Sequence, residues 1–266
     1  MKKEKDAIEA AVDSSKSVLG RAYDDIAHPT AKSLGNTLSL LPRTVGVWLG
    51  KWEKWIVNGE ESIQLTAKAV AEKAGKIPPE KLTEPEPYVA VPVIQQLSYC
   101  YDSQELREMY ANLLVSSMHA DTKGNVHPAF VEIIRQLTPD EAKLLKFLSG
   151  KKDQHPLIDI RVLGEDGSYR LALKNYTNIS KGVCDFASGI FLYLDNLERL
   201  KLVEIHDRLS LADTALYEPL ENSPEILQYI ADVQEMGHQY QINRKLFALT
   251  QLCYRFMEMC ISADSQ

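Results

Sequence analysis

Asp102-Ser-Gln-Glu-Leu-Arg-Glu-Met-Tyr-Ala-Asn-Leu-Leu-Val-Ser-Ser-Met118 sets Leu106, Met109, Tyr110, Leu113, Leu114 and Met118 along one stripe of a helix. Asp102 with Glu105 offers an N-cap and its capping-box partner. Such a stripe needs apolar neighbours, and the flanking sequence supplies them. Upstream, Lys81-Leu-Thr-Glu-Pro-Glu-Pro87 cannot lie inside a helix, because each proline removes a donor and biases its predecessor to extended geometry. Beyond it Val89, Val93, Ile94, Leu97 and Tyr101 recur at helical spacing. Downstream, a turn at Asp121-Thr-Lys-Gly-Asn125 precedes a third stripe of Phe130, Ile133, Ile134 and Leu137. Thr138-Pro-Asp-Glu141 then opens a fourth helix, with Thr138 as cap, Pro139 in the first turn and Glu141 reaching back. Leu144, Leu145 and Leu148 face inward and Gly150 is its stop. Four short amphipathic helices joined by tight connections predict a helical core module over residues 80–150.

Before this module, residues 1–79 read as N-terminal helices. Ile8, Ala11, Val12, Ser15, Leu19, Ala22 and Ile26 trace one helical face that His28-Pro29 ends, and a shorter piece runs from Thr30 to Leu41. Residues 43–57 hold all three tryptophans, Trp48, Trp52 and Trp55. Arg43, Lys51, Glu53 and Lys54 interrupt this run, so it does not span a bilayer, which takes about 20 predominantly apolar residues. Trp48 and Trp52, four apart and flanked by Leu49 and Ile56, are read as core packing. A membrane surface contacted through Trp48, Trp52 and Trp55 is the alternative. Glu60 to Ala74 is a further helix, closed by Gly75-Lys-Ile-Pro-Pro79.

After Gly150 the period changes. Leu157-Ile-Asp-Ile-Arg-Val-Leu163 alternates like a strand, Gly164-Glu-Asp-Gly167 reads as a turn, and Tyr169-Arg-Leu-Ala-Leu173 as its hairpin partner. Val183 to Leu200 predicts a helix through Phe186, Ile190, Leu194 and Leu197, and Leu202-Val-Glu-Ile205 follows as a short strand. Pro224 to Met236 predicts another helix. Lys245-Leu-Phe-Ala-Leu249 is a strand feeding a last helix capped by Thr250. This order predicts a winged-helix-like module over residues 151–266.

The 266 residues carry a formal net charge of -7, so no overall basic field gathers phosphates. From Thr138 onward acidic residues outnumber basic ones, and the Val183–Leu200 segment sets Asp185, Asp195 and Glu198 against Arg199. Duplex nucleic acid is therefore disfavoured as a partner. Cys100, Cys184, Cys253 and Cys260 form no CxxC pair and fall in apolar stripes, which predicts reduced, buried thiols. Met1-Lys-Lys-Glu-Lys-Asp6 lacks an apolar signal region, so the expected location is cytoplasmic. Asn175-Tyr-Thr177 matches a glycosylation sequon, which has meaning only in a secreted eukaryotic chain. His119, Asp121 and His127 lie near one turn without metal-ligand spacing, and no phosphate-binding glycine loop or GxSxG elbow occurs. Glu105 and Glu108 read as a solvated helix face. No catalytic, cofactor-binding or metal residue is singled out.

Glu80-Lys-Leu-Thr-Glu-Pro-Glu-Pro87, Tyr101-Asp-Ser-Gln-Glu-Leu-Arg-Glu-Met-Tyr-Ala-Asn-Leu-Leu114, His127-Pro-Ala-Phe-Val-Glu-Ile-Ile134 and Leu137-Thr-Pro-Asp-Glu-Ala142 resemble the abortive-infection alpha-like family of bacterial proteins. The resemblance runs from Gly20 to Ile261, with Cys253 standing where the family has a smaller residue. It implies a role in phage defence and supplies no mechanism. The expected fold is mainly α, a helical N-terminal and central region followed by a C-terminal α+β winged-helix-like module. The expected function is anti-phage defence by a non-enzymatic interaction or effector module, without cofactor, that binds a protein partner or forms a homo-oligomer. A membrane-acting effector using residues 43–57 and a winged-helix nucleic-acid-binding regulator are the alternatives.

Overall fold

The structure is a computed structural model and describes residues 60–97, Cys100 and residues 103–261. The helices expected before residue 58, with Trp48, Trp52 and Trp55, lie outside the described residues. The helical half consists of α1 (Glu60–Ala74), α2 (Pro87–Leu97), α3 (Gln104–Met118), α4 (Ala129–Arg135) and α5 (Pro139–Leu148). No helix among the described residues is long and apolar enough to cross a membrane.

Helix α3 is the axis of this half. Its residues from Met109 to Met118 are all buried, including Asn112, Ser116 and Ser117, so it is enclosed on every side. The polar positions have dedicated partners, as buried polar groups require. Asn112 Nδ2 donates to the Cys260 carbonyl at 2.9 Å and Ser116 Oγ to the Met259 carbonyl at 2.9 Å. Those carbonyls end the last helix of the chain and have no partner within it. Lys73 Nζ completes the set, donating to Asn112 Oδ1 at 2.6 Å.

The expected caps hold with one shift. Thr138 Oγ1 accepts from the Glu141 N–H at 3.2 Å while Glu141 Oε2 accepts from the Thr138 N–H at 2.6 Å, closing the capping box of α5. On α3 the cap is Ser103, whose Oγ accepts from the Leu106 N–H at 3.2 Å, and Asp102 lies outside the described residues. The proline-punctuated entry is pinned rather than loose. The Thr83 N–H donates to the Met118 carbonyl at 2.7 Å, and the Ala120 N–H to the Lys81 carbonyl at 2.8 Å.

The C-terminal half corrects the expected fold class. A mainly α chain with a winged-helix-like module is overturned by a four-stranded antiparallel sheet, which makes the protein mixed α/β. Its strands are β1 (Gln154–Leu163), β2 (Tyr169–Tyr176), β3 (Val203–His206) and β4 (Gln239–Leu249), in the order β2-β1-β4-β3. The expected hairpin of β1 and β2 is present, turning at Gly167 with φ +79°. The excess strand is the first half of β4. Gln239-Tyr-Gln-Ile-Asn-Arg244 carries little apolar character, yet it pairs in unbroken register with β1, from Leu163 opposite Gln239 to Gln154 opposite Ala248.

Helix α6 (Ile190–Arg199) also begins later than the sequence predicts. The N–H groups of Asp185 and Phe186 do not enter a helical ladder because Asp140 on α5 accepts both, at 2.9 and 2.8 Å. Helices α7 (Glu218–Glu221), α8 (Pro224–Glu235) and α9 (Gln251–Cys260) complete the described α-helices, with Thr250 capping α9 by accepting from the Cys253 N–H at 3.1 Å.

Two apolar clusters result from the sheet having two covered faces. The larger runs from Val70 through α3, α5 and α6 to Phe247, Phe256 and Cys260, so the helical half and the sheet share it. The smaller lies on the opposite sheet face, where Ile158, Ile160 and Tyr176 pack with Tyr217, Leu220, Ile226 and Ile230.

Candidate functional site

Strand periodicity of two puts Leu157, Asp159 and Arg161 of β1 on one sheet face, and Lys245, Asn243 and Gln241 of β4 directly opposite them on the same face. Near Phe247 and Leu249 this face belongs to the large core, and from Lys245 outward it turns polar. Lys245 sits at the border with its side chain fully buried. An ammonium taken out of water must be matched by acceptors, and three are present. Nζ donates to Asn175 Oδ1 at 2.5 Å and to Asp207 Oδ1 at 2.9 Å, and pairs with Asp159 Oδ1 at 2.9 Å.

Local backbone features aim two of these acceptors. The β1–β2 pairing slips between Ile158 opposite Tyr176 and Ile160 opposite Leu173, which leaves β2 with an extra residue at this point. Asn175 there adopts φ 57°, a region that asparagine tolerates better than most residues. Its N–H donates to Asp159 Oδ1 at 2.9 Å while its side chain reaches Lys245. Asp207 follows β3 directly and is the exposed member, with 72% of its side chain accessible, against 6% for Asp159. The hydrogen bond from Lys245 pulls the Asp207 carboxyl below its usual value against the opposing effect of burial, and the charges of Lys245, Lys174 and Arg161 add to that pull. The backbone is fixed as well, since Tyr217 Oη donates to the Lys245 carbonyl at 2.7 Å and accepts from the Leu211 N–H at 2.9 Å.

Chemically, a lysine hydrogen-bonded to Asn175 and Asp207 and ion-paired with Asp159 is a charge anchor. It has no lone pair to act as base or nucleophile. Beside it Arg161 stacks its guanidinium on the Tyr169 ring at 4.5 Å. Arg161 Nε and Asn243 Nδ2 are buried donors without a hydrogen-bond partner among the described residues.

The residues weighed from sequence lie elsewhere and do not converge. His119 Nδ1 accepts from the Asp121 N–H at 3.1 Å, Asp121 pairs with Lys81 at 2.6 Å, and His127 Nδ1 accepts from the Ala129 N–H at 3.1 Å. Each serves its own turn. Among the described residues no group of three or more His, Cys, Asp or Glu is placed to hold a metal ion. Glu105 and Glu108 face Lys143 and Lys146 at 3.8 and 3.6 Å. Tyr110 is fully buried, with its hydroxyl 3.4 Å from the Val131 carbonyl, so it is a core residue. All four cysteines are free and buried. Burial pushes the Cys253 thiol up to about 12 and the Cys184 thiol up to about 11, which keeps both protonated and poor as nucleophiles.

The Lys245 network escaped sequence reading, although a signal was there. Within Lys245-Leu-Phe-Ala-Leu249, alternation puts Lys245 on the same side as Phe247 and Leu249, and a lysine on the apolar parity of a strand demands partners.

The profile of the abortive infection alpha family matches residues 58–260. The chain belongs to that family. Its matched span takes in every element of the Lys245 network and both apolar clusters. Among curated proteins none matches the sequence. A solved structure of an uncharacterized protein from the hydrocarbon-degrading marine bacterium Alcanivorax borkumensis SK2 is similar at 22% identity. The likeness covers 50% of this chain and 94% of that one with a TM-score of 0.35.

Proposed function

We propose that this protein acts in phage defence by abortive infection, in the bacterial cytoplasm, and that it does so by binding a protein partner without enzymatic turnover. Membership of the abortive infection alpha family supports the defence role. Two features support binding over turnover. The buried cation of the sheet is hydrogen-bonded to Asn175 and Asp207 and ion-paired with Asp159, so it is suited to holding structure and charge.

The observation that carries the reading is the apolar surface where α6 begins. Phe186 is 65% exposed and Leu192 68% exposed, and Phe191 beside them is 37% exposed. Large apolar side chains left in water on one helix end mark a contact surface. They stand on a rigid support, because Asp140 holds the preceding backbone and also accepts from Tyr193 Oη at 2.9 Å.

The test is a comparison of tagged wild-type protein with the Phe186→Asp/Leu192→Asp double variant, each recovered from phage-infected cells. Wild type retains a protein partner and the double variant, with an unchanged melting temperature, does not. Identical co-purifying proteins for both would remove this surface from the mechanism. A turnover-dependent loss of a nucleotide or nucleic acid in the infected cells, carried by purified protein, would overturn the non-enzymatic reading.

A further inference from the structure

We propose that the cations around Asp207 form a binding site for a phosphate group, in which Asp207 serves as an internal carboxylate that the ligand displaces. The proposal does not depend on the partner surface of α6.

Charge placement is the first ground. In a chain of net charge -7, the face beyond Lys245 carries Lys245 and Arg161, and the charges of both and of Lys174 act on one exposed carboxylate, Asp207. Lys174 makes no ion pair among the described residues, and lies one residue before the bulged Asn175. Asp159 is committed to the protein, ion-paired with Lys245 and accepting from the Asn175 N–H. Asp207 is held from the protein side by Lys245 alone, through one 2.9 Å hydrogen bond, and the rest of its side chain faces solvent. With Asp207 turned outward, one proton of the Lys245 ammonium would point at an empty position beside two further cations.

The second ground is the pair of orphaned donors. Arg161 Nε and Asn243 Nδ2 lie on this same sheet face, diagonal neighbours across β1 and β4, since Arg161 stands opposite Gln241 and Asn243 opposite Asp159. A buried N–H without an acceptor is destabilising, and both groups are donors only. One Asp207 carboxylate, engaged with Lys245, does not reach them. A tetrahedral phosphate presents enough oxygens to take the place of Asp207 on Lys245 and to accept from the neighbouring donors.

Phosphate groups come free or attached to a larger molecule, and Tyr169 separates the two. Its ring covers one face of the Arg161 guanidinium while the residue is 56% exposed, so a planar base can stack beside a phosphate held at Arg161.

The experiment is calorimetric titration of the full chain with inorganic phosphate and with adenosine monophosphate, at constant ionic strength and with acetate as the control anion. Both phosphates bind wild type, and acetate does not compete at equal concentration. Asp207→Asn, which removes the internal carboxylate, tightens binding up to about fivefold because the competent state no longer has to be opened. Lys174→Gln, an exposed edge-strand change that leaves the fold intact, weakens it. Tighter binding of the nucleotide that is lost in Tyr169→Ala assigns a nucleotide, and equal binding of both ligands assigns a simple phosphate. A folded Asp207→Asn protein that binds no more tightly than wild type overturns the proposal. If that variant loses its melting transition, unaltered phosphate binding by Lys174→Gln overturns it instead.

Discussion

Asp140 on α5 holds the backbone N–H of Phe186 at 2.8 Å, so a carboxylate of the helical half determines where α6 starts in the sheet half. The same carboxylate accepts from the Asp185 N–H and from Tyr193 Oη, and its side chain is only 10% exposed. The two halves of the chain are thus joined by a polar contact as well as by a shared apolar core.

This contact predicts a defined pH dependence. Burial raises the Asp140 carboxyl, but the N–H groups of Phe186 and Asp185, the Tyr193 hydroxyl and the Lys143 charge outweigh it and hold the carboxyl below its usual value. A depressed folded value means stability that is complete above the unfolded carboxyl value of about 3.9 and lost as pH falls through the folded value. Asp140→Asn destabilises the protein by about 2 kcal/mol at neutral pH, as loss of charge-assisted hydrogen bonds does. In denaturant titrations the gap between wild type and Asp140→Asn closes as pH drops below about 4. A gap that stays constant down to the acid limit would contradict the assignment.

Gly189 marks the same junction sterically. A Cβ there would lie 2.6 Å from the Tyr193 ring and hydroxyl and 2.9 Å from Phe186 Cδ1. Phe186 is exposed and can swing away, whereas Tyr193 is buried and tied to Asp140. Gly189→Ala is expected to cost about 1–3 kcal/mol, the range for forced overpacking. Thermal denaturation of the single variant measures it.

The Lys245 network predicts an asymmetry between its two carboxylates. Asp159→Asn leaves a fully buried ammonium short of a charge partner and costs about 3 kcal/mol. Asp207→Asn, at the solvent end, costs less than about 1 kcal/mol. A Lys245→Met/Asp159→Leu double variant costs less than the sum of its single changes, because the residues share one interaction. Equal effects of the two single Asp variants in urea unfolding would contradict the picture.

Thiol accessibility gives a further check on the core. Burial keeps the Cys253 and Cys260 thiols protonated and packed among Phe256, Met257 and Met259 in the large cluster. A thiol-reactive chromophore reacts with these two cysteines in the native protein only through opening of the fold, so its rate falls in conditions that raise stability. Immediate reaction of either cysteine in native buffer would place it at the surface.

Much of the helical half is legible in the sequence because its apolar stripes and caps are local signals. Thr138, Glu141 and Thr250 act as their spacing predicts. What escaped depends on distant partners. Nothing local marks Asn112 and Ser116 for burial, and the carbonyls that match them come from the end of α9, nearly 150 residues later. The first half of β4 shows few apolar residues because its inner side holds Asn243 and Gln241 next to the Lys245 network. Helix α6 loses its expected first turn to Asp140, a residue 45 positions before Asp185. Each miss is a tertiary contact overriding a local preference.

Phage yield after infection of a susceptible bacterium, with and without expression of the chain, decides whether the protein defends by binding. Wild type lowers the yield, and Phe186→Asp/Leu192→Asp, folded to the same melting temperature, restores it. Substitution of His119, Asp121 and His127 leaves the protection intact. Unchanged plating across a broad phage panel would contradict the defence role, and protection that survives loss of Phe186 and Leu192 but fails without the His119, Asp121 and His127 side chains would contradict the binding mechanism.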